Sequence, residues 1–266
     1  MLKIDLHCHS TISDGLFTPT QIIEHAASRH IQVLALTDHD DVAGIEEASR
    51  VAREKNIIFI AGVEISVTWQ NKTLHILGLG IDPQSFPLVN GLSAIREGRI
   101  GRAQNIARQL DKFGIHGSFE GAQFYASRGK LIGRTHFARF LVEKGYAKDV
   151  RAVFKKYLVK GKPGYASHQW ASLHDAVNWI NISGGQAVIA HPGRYQLNKR
   201  LLESLLNEFK ELGGLGIEIV SPSHSPEQIQ LFTEYSNRLN LFASCGSDFH
   251  GPGESHFDLG QIPPLP

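Results

Sequence analysis

Residues 5–15 read DLHCHSTISDG, and the way this stretch ends an apolar run governs how the rest of the chain is read. LKIDLH (2–7) has the pattern of a strand. Strand alternation sends His7 and His9 to one side and Cys8 to the other. Asp14 and Gly15 follow within a few positions. Two imidazoles aimed at one point suit either a shared cation or a hydrogen-bonded surface pair. A single H-x-H string does not choose between them.

The neighbouring segments repeat the same design. TPTQIIEHAASRH (18–30) is a helix, with Thr18 as N-cap, Pro19 at the first helical position and Gln21 closing a capping box. IQVLALTDHD (31–40) is the next strand, 41–56 a helix, IIFIAGVEISVTW (57–69) a third strand and TLHILGLGI (73–81) a fourth. The rhythm returns after residue 165: a helix near 171–183, strand QAVIAH, a helix over 198–212, strand GLGIEIV, a helix over 225–238 and strand LFASCGSD. Apolar strands alternating with helices predict an α/β fold with a parallel sheet covered on both faces. Either a closed (β/α) barrel or an open doubly wound sheet satisfies that pattern. Residues 98–164 break the rhythm with helical segments and no clear strand. They carry Arg99, Arg102, Arg108, Arg128, Lys130, Arg134 and Arg139. This stretch is expected to be a helical insertion capping the mouth of a domain formed by 1–97 and 165–266.

Composition narrows the class. The chain has 266 residues, 42% of them hydrophobic, enough for one large domain with an insertion. Its 27 basic and 26 acidic residues argue against a general nucleic-acid-coating surface but allow a local basic pocket. Two cysteines, Cys8 and Cys245, are too few for a secreted disulfide framework. There is no long apolar signal core and no run of about 18 apolar residues, so a cytoplasmic protein with no membrane partner is expected. Histidine, at fourteen, is in excess of what a core or solubility needs.

Those histidines are placed systematically. His7 and His9 end the first strand and His39 the second; Glu64 and His75 lie in the third and fourth; His191, Asp248 and His250 end later ones. The C-terminal edge of strands in (β/α) folds is where sites are built, so these residues and Asp14 are expected to converge on one mouth. Imidazole and carboxylate donors suit Zn, Mn or Fe(II), whereas an all-oxygen set would suit Mg or Ca. Nine candidates exceed the roughly three to six donors one ion uses. More than one ion is expected, with Glu64 suited to bridge two of them.

The ordered strings HCHS…SDG, TDHD, GVEIS, HILGLG, AHPG and GSDFHG resemble the successive motifs of the PHP (polymerase and histidinol phosphatase) superfamily. The resemblance implies a distorted (β/α)7 TIM-like barrel holding three divalent ions, Mn first, with Zn or Fe as alternatives. It also implies a ligand distribution. His7, His9, Glu64 and Asp248 would take the first ion; Glu64, His75 and His191 the second; Asp14, His39 and His250 the third. Some relatives have histidine where this chain has Asp14. IGRTHFARFLVEKGY (132–146) and GIEIVSPSHSPEQ (216–228) are similar to the stand-alone TrpH/RNase AM branch. Its members remove the 3′-phosphate of nucleoside 3′,5′-bisphosphates, and some degrade short 5′-phosphorylated RNA. The alternatives are a histidinol-phosphate-type phosphomonoesterase and a non-catalytic metal-binding module. No protein partner is implied.

Beyond the ligands, Arg134 and His136 are candidate phosphate contacts, because guanidinium grips phosphate bidentately. Arg99 and Arg102 are candidates for a distal phosphate, with solvated helix arginines as the alternative. His224, after a strand end, is a candidate proton donor to the leaving group, with a turn-stabilising role as the alternative. Asp38 and Asp40 read as supports for His39 and its loop. Cys8 and Cys245 read as buried packing.

Overall fold

The computed structural model describes residues 2–126 and 131–266; Arg128 and Lys130 of the basic segment lie outside the described residues. In chain order the elements are β1 (Ile4–Asp5), α1 (Pro19–Ser28), β2 (Val33–Leu36), α2 (Ile45–Glu54), β3 (Ile58–Trp69), β4 (Lys72–Leu79) and α3 (Phe86–Lys112). Then follow α4 (Ser118–Tyr125), α5 (Arg134–Glu143), and α6 (Val150–Val153), which runs into a π-helical turn at Phe154–Leu158. The chain returns to the barrel with β5 (Ala171–Ser172), α7 (Leu173–Ile182), β6 (Gln186–Ile189), a 3₁₀ turn (Pro192–Tyr195), α8 (Lys199–Glu211), β7 (Gly216–Val220), α9 (Pro226–Leu239) and β8 (Phe242–Cys245).

Seven strands run in the order β1-β2-β3-β4-β6-β7-β8, with β5 beside β3. The two ends of the sheet meet: the Leu6 N–H donates to the Cys245 carbonyl (3.0 Å), and Cys8 bridges Phe249. The closed-barrel alternative is therefore the one adopted. Its distortion is local. β1, β2 and β3 are parallel, as are β6, β7 and β8, but β4 is antiparallel to both β3 and β6. The expected all-parallel sheet is corrected at this strand. Gln70 and Asn71 join β3 to β4 with φ of 44° and 61°, the left-handed pair that a two-residue hairpin requires. So short a connection leaves no room for a crossover helix.

The helices start where side chains cap them. Thr18 accepts from the Gln21 N–H (3.2 Å), and the Gln21 carboxamide accepts from the Thr18 N–H (2.9 Å). Ser225 caps α9 with the same reciprocal pair, and the Ser172 and Asn198 side chains accept from the Asp175 and Leu201 N–H groups at the starts of α7 and α8. In α8, Leu202, Leu205, Leu206 and Phe209 form the buried stripe against the barrel.

The insertion is attached by one long helix rather than by a linker. α3 has 27 residues. Leu88, Leu92 and Ile95 on its first half pack into the barrel core. Ala103, Ile106 and Leu110 on its second half join a separate apolar cluster with Phe137, Leu141, Val153 and Leu158. The expected boundary at 97/98 thus falls inside a continuous helix, where one core gives way to the other.

Candidate active site

The first loop is folded by its own small and polar residues. Asp38 accepts from the Ser10 N–H (2.7 Å), Ser10 Oγ (2.6 Å) and Ser13 Oγ (2.6 Å), tying residues 10–13 to the end of β2. A Cβ at Gly15 would sit 2.2 Å from the His9 carbonyl oxygen, so only glycine lets the loop fold back and present Asp14. Cys8 is fully buried, its thiol donating to the Ala35 carbonyl (3.2 Å), which leaves His7 and His9 on the cavity side.

All nine predicted ligands converge. Among the described residues, four overlapping groups have donor atoms within 4.8 Å of one another: His9, Asp14, His39 and His250; His7, His9 and Asp248; His7, Glu64 and His191; His39, Glu64 and His75. Glu64 is at their centre and its two oxygens face different partners. Oε1 lies 2.8 Å from His75 Nδ1, 2.9 Å from His191 Nε2 and 3.4 Å from His7 Nε2. Oε2 lies 2.9 Å from His39 Nδ1 and 3.3 Å from His9 Nε2. Asp248 Oδ1 is 3.4 Å from His7 Nε2 and 3.2 Å from His9 Nε2, and Asp14 Oδ1 is 3.3 Å from His250 Nε2.

These separations suit donors about 2.0–2.2 Å from a common cation, which stand roughly 3.0–3.6 Å from one another. The orphaned atoms point the same way. Asp14 Oδ1, His39 Nδ1 and Glu64 Oε2 are buried without any hydrogen-bond partner. Nitrogen and carboxylate donors left unsatisfied around one centre fit divalent transition ions. Burial opposes their ionisation, but His39, His75 and His7 hold Glu64 well below the usual carboxylate range, and His250 and His39 do the same for Asp14. Burial, followed by the neighbouring His250 and His39, pushes His9 down to about 3; burial and then Arg194 push His191 to about 3. Those rings are neutral and have lone pairs to give. Against the cost of burial, Asp14 and then Asp248 hold His250 up to about 9.

Beside the donor cluster lies a cavity of about 180 Å³ whose far wall is cationic. Arg99, Arg102 and Arg134 line it. Arg99 is buried and paired with Asp40, and it also donates to Ser66 Oγ (2.9 Å). Trp170 lies under the guanidinium groups of Arg99 (4.7 Å) and Arg102 (5.0 Å), while Phe154 faces Arg134 (5.4 Å). Burial, then Arg134 and Arg99, push Arg102 down to about 9; burial and Arg99 also lower Arg134. Cations that depress one another in a partly dry pocket are arranged for an anion.

Two sequence candidates are placed elsewhere. His136 is buried outside the cavity lining, where its Nδ1 accepts from the Gly133 N–H (2.9 Å) and burial pushes it down to about 4. It fixes the start of α5, which presents Arg134 and Thr135. The proton-donor reading of His224 is corrected: its Nδ1 donates to the Ile219 carbonyl (2.7 Å) and its Nε2 accepts from the Gly193 N–H (3.2 Å). Both ring nitrogens are used in bracing loops, so the turn-stabilising alternative describes it. Burial pushes the Cys8 thiol well up and Cys245 to about 12, leaving neither as a thiolate.

The sequence reading missed Glu218 and Arg194. Glu218 is fully buried, accepts from the His191 N–H (2.5 Å) and lies 3.0 Å from His7 Nδ1, which turns His7 Nε2 toward the cluster. A lone carboxylate inside the apolar strand GIEIV was the available signal. Arg194 pairs with Asp248 and lines the cavity. The insertion also reaches the cluster directly. Thr135 Oγ1 donates to Asp14 Oδ2 (2.7 Å), and Arg139 donates to the Asp14 carbonyl (2.6 Å).

Residues 5–221 match the PHP domain family. The chain belongs to that family. Among PHP relatives, the 3′,5′-nucleoside bisphosphate phosphatase of Chromobacterium violaceum is 52% identical over the whole of this chain and 93% of its own. The 5′-3′ exoribonuclease Rnm of Escherichia coli is 44% identical over 93% of this chain and 85% of its own. Two solved PHP-like structures superpose closely. One is an amidohydrolase from Chromobacterium violaceum with bound sulfate (TM-score 0.96, 52% identity, covering 99% of this chain and 92% of that one). The other, from Bifidobacterium adolescentis, is assigned as a metal-dependent phosphoesterase (TM-score 0.88, 27% identity, covering 97% and 91%). Among the described residues no helix is long and apolar enough to cross a membrane.

Proposed function

We propose that this PHP protein is a metal-dependent phosphoesterase that removes the 3′-phosphate of nucleoside 3′,5′-bisphosphates. By the same chemistry it trims short 5′-phosphorylated RNA from its 5′ end. The observation that carries the reading is the pairing, in one cavity, of a nitrogen–carboxylate donor cluster with mutually repelling arginines. One half suits chemistry at phosphorus and the other can only bind an anion. A substrate with two separated phosphates satisfies both.

His7, His9, Glu64 and Asp248 would hold a first ion, Glu64, His75 and His191 a second, and Asp14, His39 and His250 a third, with Mn first and Zn or Fe as alternatives. When bound, such ions lower the pKa of water and offset negative charge at phosphorus. Arg102 and Arg134 grip the non-reacting 5′-phosphate, and their aromatic supports keep them pointed inward. Arg99 has its charge partly spent on Asp40 and acts chiefly as the wall behind them. Binding energy at the anchored phosphate is then used to orient the reacting one. One water is consumed, the P–O3′ bond breaks and the 3′-oxygen leaves with a proton, giving a nucleoside 5′-phosphate and inorganic phosphate. Residues 98–164 serve as the cap that supplies the anchor. The two free thiols fit a reducing, cytoplasmic setting.

The test is product identification. Adenosine 3′,5′-bisphosphate on Mn-loaded protein is expected to give adenosine 5′-monophosphate, with adenosine 3′-monophosphate a much poorer substrate. Release of the 5′-phosphate, equal rates on the 3′-monophosphate, or preference for histidinol phosphate in the same panel would refute the reading.

A further inference from the structure

A second cavity, of about 580 Å³, adjoins the donor cluster, and Arg99, Arg102 and Arg134 are not among the residues that line it. The two spaces meet at Thr135, Phe154, Arg194, Asp248 and His250, which line both. A reacting phosphate at this junction has the arginine pocket on one side and the larger lobe on the other. A phosphomonoester has one organic substituent on phosphorus, and the arginine side takes it. A phosphodiester has two, and the second must leave in another direction. The larger lobe lies in that direction, and its volume is in the range of small-molecule sites.

Two of the three carboxylates that line the lobe are paired with arginines. Glu254 is taken up by Arg139, which donates to both of its oxygens at 2.8 Å. Asp248 is paired with Arg194. Asp149 accepts from the Ala152 N–H (2.7 Å) as the cap of α6. Arg151, also lining the lobe, makes no ion pair among the described residues; its guanidinium lies 3.0 Å from His256 Nδ1. Asp149 keeps its charge beside Lys148 (3.8 Å), while the exposed Arg151 guanidinium on the rim has no carboxylate partner among the described residues and can meet a phosphate.

We propose that this lobe binds the nucleotide downstream of the scissile phosphate in single-stranded 5′-phosphorylated RNA, with Arg151 and His256 contacting the next phosphate along the chain. The inference rests on the phosphoesterase reading above and extends it to the leaving strand. For a trinucleotide pApApA, the water oxygen bonds to the first internucleotide phosphorus, the P–O3′ bond breaks and the 3′-oxygen takes a proton. The products are adenosine 5′-monophosphate and pApA. The downstream dinucleotide occupies the lobe throughout, whereas adenosine 3′,5′-bisphosphate leaves it to water.

The experiment measures kcat/KM for the first cleavage of pApApA and for adenosine 3′,5′-bisphosphate, in wild type, Arg151→Ala, Arg151→Glu and His256→Ala. The ratio of trinucleotide to bisphosphate is expected to fall about 10-fold in Arg151→Ala, further in Arg151→Glu and less in His256→Ala, as loss of a charged phosphate contact near the surface would give. An unchanged ratio in all three variants overturns the assignment. So does a parallel fall in both activities, which would place the bisphosphate's own nucleoside in the lobe. Wild-type protein that cuts the bisphosphate but not pApApA overturns the lobe and leaves the phosphatase standing. Cleavage of neither overturns both.

Discussion

The barrel and the insertion build opposite walls of one cavity by different means. On the barrel wall, most donors stand on short loops after strands, with Glu64 and His75 inside β3 and β4, and fixed groups orient them. Glu218 holds His7, the Asp248 carbonyl lies 2.9 Å from His250 Nδ1, and Thr135 holds Asp14. On the insertion wall, long side chains from helices lie over Trp170 and Phe154, and of Arg99, Arg102 and Arg134 only Arg99 has a carboxylate partner among the described residues. The first wall gathers lone pairs and negative charge, the second positive charge. On the function proposed above, the barrel wall would govern what reaction occurs and the insertion wall which substrates undergo it.

The division is most directly broken at Glu64. Glu64→Gln keeps the shape but removes the charge that both oxygens share among five histidines. Bound metal and turnover are expected to fall together, by more than the about 10- to 100-fold typical of outer partners. Elemental analysis and activity on one preparation decide it; full activity with normal metal content would remove Glu64 from the centre. On the opposite wall, Arg134→Ala should leave metal content intact and lower kcat/KM by about 10- to 150-fold, the loss of one charge-assisted contact. An unaltered kcat/KM would show that the arginine only decorates the cap.

Much of the barrel wall was legible because the relevant residues are polar ends on apolar strands, a contrast that needs no tertiary knowledge. His7, His9, His39, His191, Asp248 and His250 all follow that rule. His75 does not: it lies within a strand that runs the other way, and it was legible through the HILGLG motif rather than through its place on the strand. The insertion wall was legible as basic but not in detail. Nothing in sequence spacing says that Asp40 takes Arg99 while Arg102 and Arg134 are left to repel each other. His224 failed for a similar reason, since its two backbone partners come from separate loops.

The two remaining predictions sharpen the contrast within the barrel wall. Glu218→Gln removes the charge behind His7 without touching the cavity, and metal affinity measured by chelator competition should weaken by about 10-fold or more. Unchanged affinity would mean that the backbone alone orients His7. His224→Ala has the smallest expected effect on chemistry, a few-fold in kcat at most. It should cost about 1–2 kcal/mol of stability from two lost hydrogen bonds, seen as a lower midpoint in thermal unfolding. A large loss of kcat in a folded variant would restore the proton-donor role.

The ring closure described for the barrel has a consequence for the order of assembly. Glu64 and His75 are brought together by a hairpin with a two-residue turn, as soon as that hairpin folds. His7, His9 and Asp248 meet only when the first and last strands join, a junction where Asp5 accepts from the Ser247 N–H across 242 positions of chain (2.9 Å). Closing that span rather than a loop of about ten residues costs on the order of 3 kcal/mol more in chain entropy. On chain entropy alone the Glu64–His75 pair is expected to form before His7, His9 and Asp248 meet. A chain still lacking β8 would present Glu64 and His75 without Asp248 and His250, so that metal binding, on the reading proposed above, would mark completed closure of the ring.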